Sequence, residues 1–349
     1  MKRRHQYGGP ARTLLALAVV AAMVAGAGGT AQGGPAGAAK KRLPRKTIGI
    51  MGPVDSAEII KLANDATEAA AKSLGWRTMR VDPQGDPAKM ASGMTSLVNA
   101  GVDAIVLTTM EPATIQSGLR AARRRHIPVI DTHTKTRSSP LFAGEYFLPP
   151  LREFNLLYAR MKRSLRRGSE IGTINLPQFL NAKIAGDLVK PAARRAGWTI
   201  RASHDADLAN LVPDTQRAVG DMIRANPGLD AVWGCCDFVP TGAVPAIRAS
   251  RKNIKVYSLH GIPSTMPQAR TGLAVVEVAD YQLGGVVAID VLARHFAFGT
   301  KIPKQMPKRF RWHMKIVSRA NAGKGYPYPT RKVLAPFKRR WARLYTRAR

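Results

Sequence analysis

Cys235 and Cys236 are the only cysteines in the 349-residue chain, and they are adjacent. They follow the apolar run LDAVWG and so stand where a strand ends. Outside the cytoplasm such a pair can close into a strained vicinal disulfide that offers a flat sulfur surface, or remain two thiols packed as small apolar side chains. Grouped with His133, His260 and Asp237 they are chemically suitable zinc ligands, but none of these residues shows metal-ligand spacing. His133 or His260 beside Cys236 would give a thiol nucleophile and its base, yet nothing supplies a third partner. The chain has no Gly-x-Ser-x-Gly elbow, Gly-rich phosphate loop or His-Glu-x-x-His helix. No catalytic residue, metal site or cofactor is therefore expected.

The surrounding elements place these residues at strand ends. From residue 47, short apolar runs alternate with stretches of helical periodicity. Strands are expected at 47–51, 77–82, 101–107 and 127–131, with helices at 59–74, before 98 and at 113–125. GVDAIVL (101–107) is apolar enough for a parallel sheet covered on both faces. The same grammar returns with strands at 170–176, 198–203, 229–234 and 254–259 and helices at 181–196 and 215–225. Two doubly wound α/β lobes are expected, with ligands in the crevice at the strand C-termini. The reading is lobe 1 at 47–146, completed by 280–305, and lobe 2 at 147–279, completed by 306–320.

The first 31 residues read as a secretory signal peptide: Lys2, Arg3, Arg4 and Arg12 precede an uncharged run at 13–27 that ends among small residues. The run is shorter than the ~20 apolar residues a membrane span requires. Residues 32–46 read as a linker. No cysteine lies near the cleavage region, so the expectation is an extracytoplasmic, unlipidated protein.

Lys and Arg number 55 against 22 Asp and Glu, a formal charge of +33. Nucleic acid is the reflex partner of such a charge, but export argues against it, and the excess reads as solvated basic helix faces. From Gly299 onward there is no acidic residue. The tail, 321–349, carries a helix expected at 336–347, with Phe337, Trp341, Leu344 and Tyr345 on one stripe and basic residues on the rest. It reads either as a tether to an anionic membrane or cell-wall surface, or as a helix docked on its own lobe.

From 47 to about 318 the chain resembles the type I periplasmic binding proteins, in the ribose-type sugar-binding subgroup that feeds ABC importers. The landmarks fall in order: Asp82-Pro83-Gln84, Asp86-Pro87-Ala88-Lys89, GVDAIVL, Ile127-Pro128-Val129-Ile130, ANPGLDAVWG ending at Gly234, VYSLHG at 256–261 and TGLAVVEV at 271–278. The resemblance implies two flavodoxin-like lobes joined by a hinge and closing on a small molecule. It also implies where the ligand contacts fall, and there the chain departs from the sugar pattern. The subgroup's stacking aromatics fall on Ile59 and Ile60, near Ser56 in the first loop, and its Asp-Arg pair on His133 and Thr134. An Arg falls on Lys183, an aromatic on Leu208, an Asn on Cys236, an Asp on His260, and a Gln on or beside Val278.

Lys183, His133 and His260 would suit an anionic group, with Ile59, Ile60, Leu208 and Met110 against an apolar body. In the competing reading Lys183 points to solvent and the histidines bond backbone at strand ends. The implied function is the substrate-binding component of an ABC importer, a monomer that closes on a small molecule and engages a membrane permease. The alternative is a sensory receptor for a membrane signalling partner, and an enzyme on the same fold ranks below both.

Overall fold

The computed structural model describes residues 40–346. The proposed signal peptide and most of the proposed linker lie outside the described residues. The chain opens with β1 (Lys41–Arg42), then β2 (Thr47–Met51), α1 (Glu58–Ser73), β3 (Arg77–Val81), α2 (Pro87–Asn99), β4 (Ala104–Thr108), α3 (Gln116–Arg124), β5 (Val129–His133) and β6 (Gly144–Phe147). Strands β2 to β6 form a parallel sheet in the order β3-β2-β4-β5-β6. Local chemistry sets the elements: β4 is buried along its whole length, and Asp86 caps α2 by accepting from the Ala88 and Lys89 amides, with Pro87 at the first helical position.

The second lobe contains α4 (Pro150–Lys162), β7 (Glu170–Asn175), α5 (Leu180–Ala196), β8 (Thr199–Asp205), α6 (Leu211–Ala225), β9 (Leu229–Gly234), α7 (Phe238–Ser250), β10 (Lys255–Ser258), α8 (Met266–Arg270) and β11 (Ala274–Ala279). After it come α9 (Leu283–Phe298), β12 (Met314–Val317), α10 (Arg319–Ala322), α11 (Thr330–Leu344) and β13 (Tyr345–Thr346). The second sheet runs β12-β11-β10-β9-β7-β8, parallel except for β12, which pairs antiparallel with β11. Both sheets share one winding, in which the first strand of each lies between the second and third. Each therefore has a topological switch point beside that first strand.

Three segments cross between the sheets. Leu148 and Pro149 lead from β6 into α4, which packs on the second sheet; Asp280 to Gln282 lead from β11 into α9, which packs on α1, β4 and β5. The third crossing follows Gln305, which bridges to Glu145 beside the first sheet, and returns the chain to β12. The crossings are laced together. Asp280 accepts from the His313 amide (3.0 Å) and ring Nδ1 (2.8 Å), and Arg152 donates to the Trp312 carbonyl (3.3 Å). Helix α9 approaches α1 so closely that a Cβ on Gly285 would collide with the Thr67 hydroxyl.

The end of the segment read as a linker is structured. Lys41 and Arg42 pair in parallel with Tyr345 and Thr346, Leu43 is buried, and the Trp76 indole donates to the Pro44 carbonyl. The C-terminal helix begins earlier than its periodicity suggested and lies on its own lobe, against α1 and α9. Leu334, Phe337, Trp341 and Tyr345 are all buried. Of the apolar stripe, Phe337, Trp341 and Tyr345 are covered by the protein and Leu344 is half-buried, which is the docked arrangement of the two readings of this helix. Asp290, buried in the middle of α9, pins the helix: it accepts from the Trp341 indole at 2.8 Å and pairs with Arg340 at 2.6 Å.

Candidate functional site

Three strand ends of the parallel sheets carry non-glycine residues in the left-handed region: Thr109 after β4 (φ 56°), His133 ending β5 (φ 82°) and His260 after β10 (φ 61°). Such conformations cost about 1–3 kcal/mol each, and they gather at sites whose geometry serves a task. Here they turn three side chains toward one buried cluster. The Thr109 hydroxyl lies 3.3 Å from His133 Nδ1 and 3.0 Å from the Thr134 hydroxyl. The His133 ring sits 5.6 Å from the ring of Tyr281 on the second crossing, and Tyr281 meets the His260 ring edge-on at 5.9 Å. A continuous row of side chains thus runs from lobe 1, through a crossing segment, to lobe 2.

Around His260 the second lobe and α4 gather polar groups. Its Nε2 lies 3.2 Å from Glu153 Oε1 and 3.2 Å from the Asn181 amide nitrogen. Its backbone N–H faces Glu277 Oε2 at 3.5 Å, and the Tyr281 hydroxyl donates to the same oxygen at 3.3 Å. Glu153, Asn181, His133, His260, Glu277 and Tyr281 are each at most 5% exposed. Burial alone would strip His260 of its proton, but the Glu153 charge and the contacts with Cys236 and Glu153 more than offset it, so its pKa stands well above the usual value. Burial, reinforced by the nearby Glu153 charge, pushes the Glu277 carboxyl up to about 8. Burial, with His260 adding to it, lowers His133 to about 3, so that ring is neutral.

Several of these atoms have no hydrogen-bond partner: both oxygens of Glu153, Glu277 Oε1, Asn181 Oδ1 and His133 Nε2. The Glu153–His260 contact is close enough for charge but lacks hydrogen-bond alignment. A buried polar atom left in that state costs about 1–3 kcal/mol. Five of them lie in this one cluster.

The sequence-derived candidates divide. His133, Thr134, Cys236 and His260 stand in or beside the cluster, and Ile59 and Ile60 are buried at the start of α1, where Ile60 packs against Gly52. Met110 belongs instead to the apolar cluster of Met51, Met94, Leu107 and Leu119. Val278 packs over Gly261, and its neighbour Glu277 is the residue that faces His260. Lys183 is half exposed and pairs with Asp187 on its own helix at 2.6 Å, one turn apart on the surface. Leu208 is 44% exposed and Ser56 is exposed on the first loop, so neither joins the cluster.

Cys235 and Cys236 are free thiols with sulfurs 2.7 Å apart, both buried; burial pushes Cys236 well above the usual thiol range, which removes it as a nucleophile. Among the described residues no group of three or more His, Cys, Asp or Glu is placed to hold a metal ion. The sequence reading missed Thr109, Glu153, Asn181 and Tyr281 outright. Glu277 carried a legible signal, as the one charged residue in the otherwise apolar strand AVVEVA.

A family profile described as "Periplasmic binding protein domain" matches residues 48–143. The ribose import binding protein of Haemophilus influenzae is 20% identical over 270 residues, which span 68% of this chain and 82% of that protein. Among solved structures, an ABC transporter solute binding protein from Agrobacterium vitis with bound allitol superposes with a TM-score of 0.71 at 20% identity, covering 81% of this chain and 98% of the other. A periplasmic ribose ABC transporter protein from Conexibacter woesei gives 0.69 at 13% identity, covering 87% and 99%. With two such lobes and three crossings, the chain has the fold of these solute-binding proteins, and residues 48–143 match the periplasmic binding protein domain. The curated relatives are ribose import binding proteins, and the allitol-bound neighbour is a solute binding protein of an ABC transporter.

Proposed function

We propose that this chain captures a small solute between its lobes by hinge closure and hands it to an ABC permease. The observation that carries the reading is the row from His133 through Tyr281 to His260, bordered by five buried polar atoms without partners. A guest that satisfies groups from both lobes binds the closed form more tightly than the open one, which is the condition for a ligand to drive closure. The Ser264 amide already donates to Glu58 across the lobes at 3.3 Å.

Four of the five unpartnered atoms are carboxylate and amide oxygens, so the fitting solute is rich in hydrogen-bond donors, as sugars and polyols are. An anionic solute fits poorly. Lys183, on which that preference leaned, is engaged on the surface with Asp187, and the one cationic group in the cluster, His260, already faces Glu153. Thermal-shift and small-angle scattering measurements against sugars, polyols, amino sugars and organic acids test the reading. A stabilising compound that also compacts the protein, with both effects abolished by His260→Ala, is the expected outcome. If nothing in the set stabilises or compacts the protein, the proposal falls.

A further inference from the structure

With both of its acids ionised, the cluster would hold more negative than positive charge. Two carboxyl groups, Glu153 on α4 and Glu277 on β11, are fully buried, and among the described residues the only ionisable base shown at hydrogen-bond or ion-pair distance is His260. His260 lies beside one oxygen of Glu153, and Glu277 is met only by the His260 backbone amide and the Tyr281 hydroxyl. Neither lysine nor arginine makes an ion pair or hydrogen bond with either carboxylate among the described residues. Asp290 and Glu145 have such partners, Arg294, Arg309 and Arg340 for the first and Lys304 for the second, whereas buried Asp131 is met by the Thr136 hydroxyl and two backbone amides.

The unmet atoms are also of one kind. Once Glu277 is ionised, its Oε1, the oxygens of Glu153 and Asn181 Oδ1 are all acceptors, and the three side chains are gathered about His260. A neutral hydroxyl brings one donor and no charge. An alkylammonium group brings three donors and the positive charge that the carboxylates lack. We propose that the solute carries a protonated amine, seated among Glu277, Glu153 and Asn181, with the rest of its body toward His133 and Thr109.

This rests on the cluster being the solute site, and it narrows the solute class to amino sugars, amino polyols and similar hydroxylated amines. The elevated proton affinity of Glu277 accords with it, since a carboxyl that keeps its proton for want of a counter-charge ionises when a cation arrives. Burial gives the arrangement selectivity, because an uncharged analogue of the same shape leaves the acceptors unpaired.

The test uses matched compounds with the whole protein by isothermal titration: glucosamine, glucose, N-acetylglucosamine and glucuronate, and 1-amino-1-deoxysorbitol against sorbitol. In at least one series the amine is expected to bind about 10-fold or more tighter than its neutral partner, and N-acetylation, which removes the charge from the ligand side, to erase that advantage. Glu277→Gln and Glu153→Gln should reduce the amine's advantage while affecting the neutral compound less. The acetylated ligand keeps the test decisive on the unaltered protein if either variant fails to fold. Neutral compounds that bind as well as or better than the amines would overturn the amine and leave solute capture standing. An amine advantage that survives acetylation or both substitutions would also overturn it. No binding in either series counts against the amine, and when joined to no stabilisation by any solute of the wider screen it removes solute capture as well.

Discussion

Replacing Asp290 with alanine should loosen the C-terminal helix from lobe 1, and the size of the effect can be worked from its contacts. The carboxylate is fully buried in α9, accepts from the Trp341 indole at 2.8 Å, and is paired with Arg340 at 2.6 Å and with Arg294 and Arg309 at 3.5 Å each. Alanine leaves a buried indole N–H without an acceptor, which costs about 1–3 kcal/mol. It also leaves Arg340 against Phe310 and Phe337 with no counter-charge. Removing one member of a buried ionic group costs about 3–5 kcal/mol, and the partial exposure of the arginines argues for the lower end of that range. Asp290→Asn keeps an acceptor for Trp341 but not the charge, so about 1–3 kcal/mol is expected. Urea unfolding followed by fluorescence reads the loss, and limited trypsin digestion followed by mass spectrometry should show faster cutting after Lys338 and Arg339. A loss below about 1 kcal/mol for the alanine variant, with unchanged digestion, would refute the idea that this carboxylate holds the helix down.

The ionisation of Glu277 gives a pH prediction. Its folded pKa is raised from 4.5 to about 8, so the proton is held more tightly in the fold; the resulting stability is fully present below about pH 4.5 and lost as pH rises through 8. Glu277→Gln should lose less stability than the parent between pH 5 and 9, with a difference bounded by about 5 kcal/mol, and parallel urea-midpoint profiles would contradict this. Lys183→Ala should leave solute affinity within about 2-fold of the parent by titration calorimetry, since its partner is Asp187 on the surface; a larger loss would return Lys183 to the cleft. The native protein should react slowly with a thiol reagent and yield two thiols per chain once unfolded, whereas two thiols that stay unreactive after unfolding would mean a disulfide. Arg251 ends α7 in the left-handed region at φ 57° and is exposed, so Arg251→Gly should stabilise by about 0.5–1 kcal/mol in thermal unfolding, and a loss would argue against that backbone geometry.

Period and punctuation made most of the two sheets legible, because a parallel strand covered on both faces must be apolar and short, as AIVLT and LDAVWG are. The segments that escaped are those without such a signature. Strand β6, GEYF, is four residues long and polar at its second position, and α9 is apolar on nearly every side because it is buried between other elements, which flattens its periodicity. The site was legible where a turn follows a strand, as at His133 and His260. Lys183 was misplaced because a helix presents a new face every residue, so a shift of two positions exchanges buried Asn181 for a surface lysine. Glu153 stayed hidden because its place depends on α4 packing against β10, β11 and β12, strands far along the chain, a long-range fact that no local pattern encodes.

The clasp between Lys41–Arg42 and Tyr345–Thr346 has a consequence for the order of events during synthesis. The earliest described residues of lobe 1 wait for the very last ones, with lobe 2 made in between, so the lobe begun first is sealed last. Long separations of this kind slow folding because the intervening chain must be closed into a loop before the contact is rewarded. Until then Leu43 and the faces of α1 and α9 that α11 covers stand open to water, which leaves a window in which the newly made chain carries apolar surface prone to association.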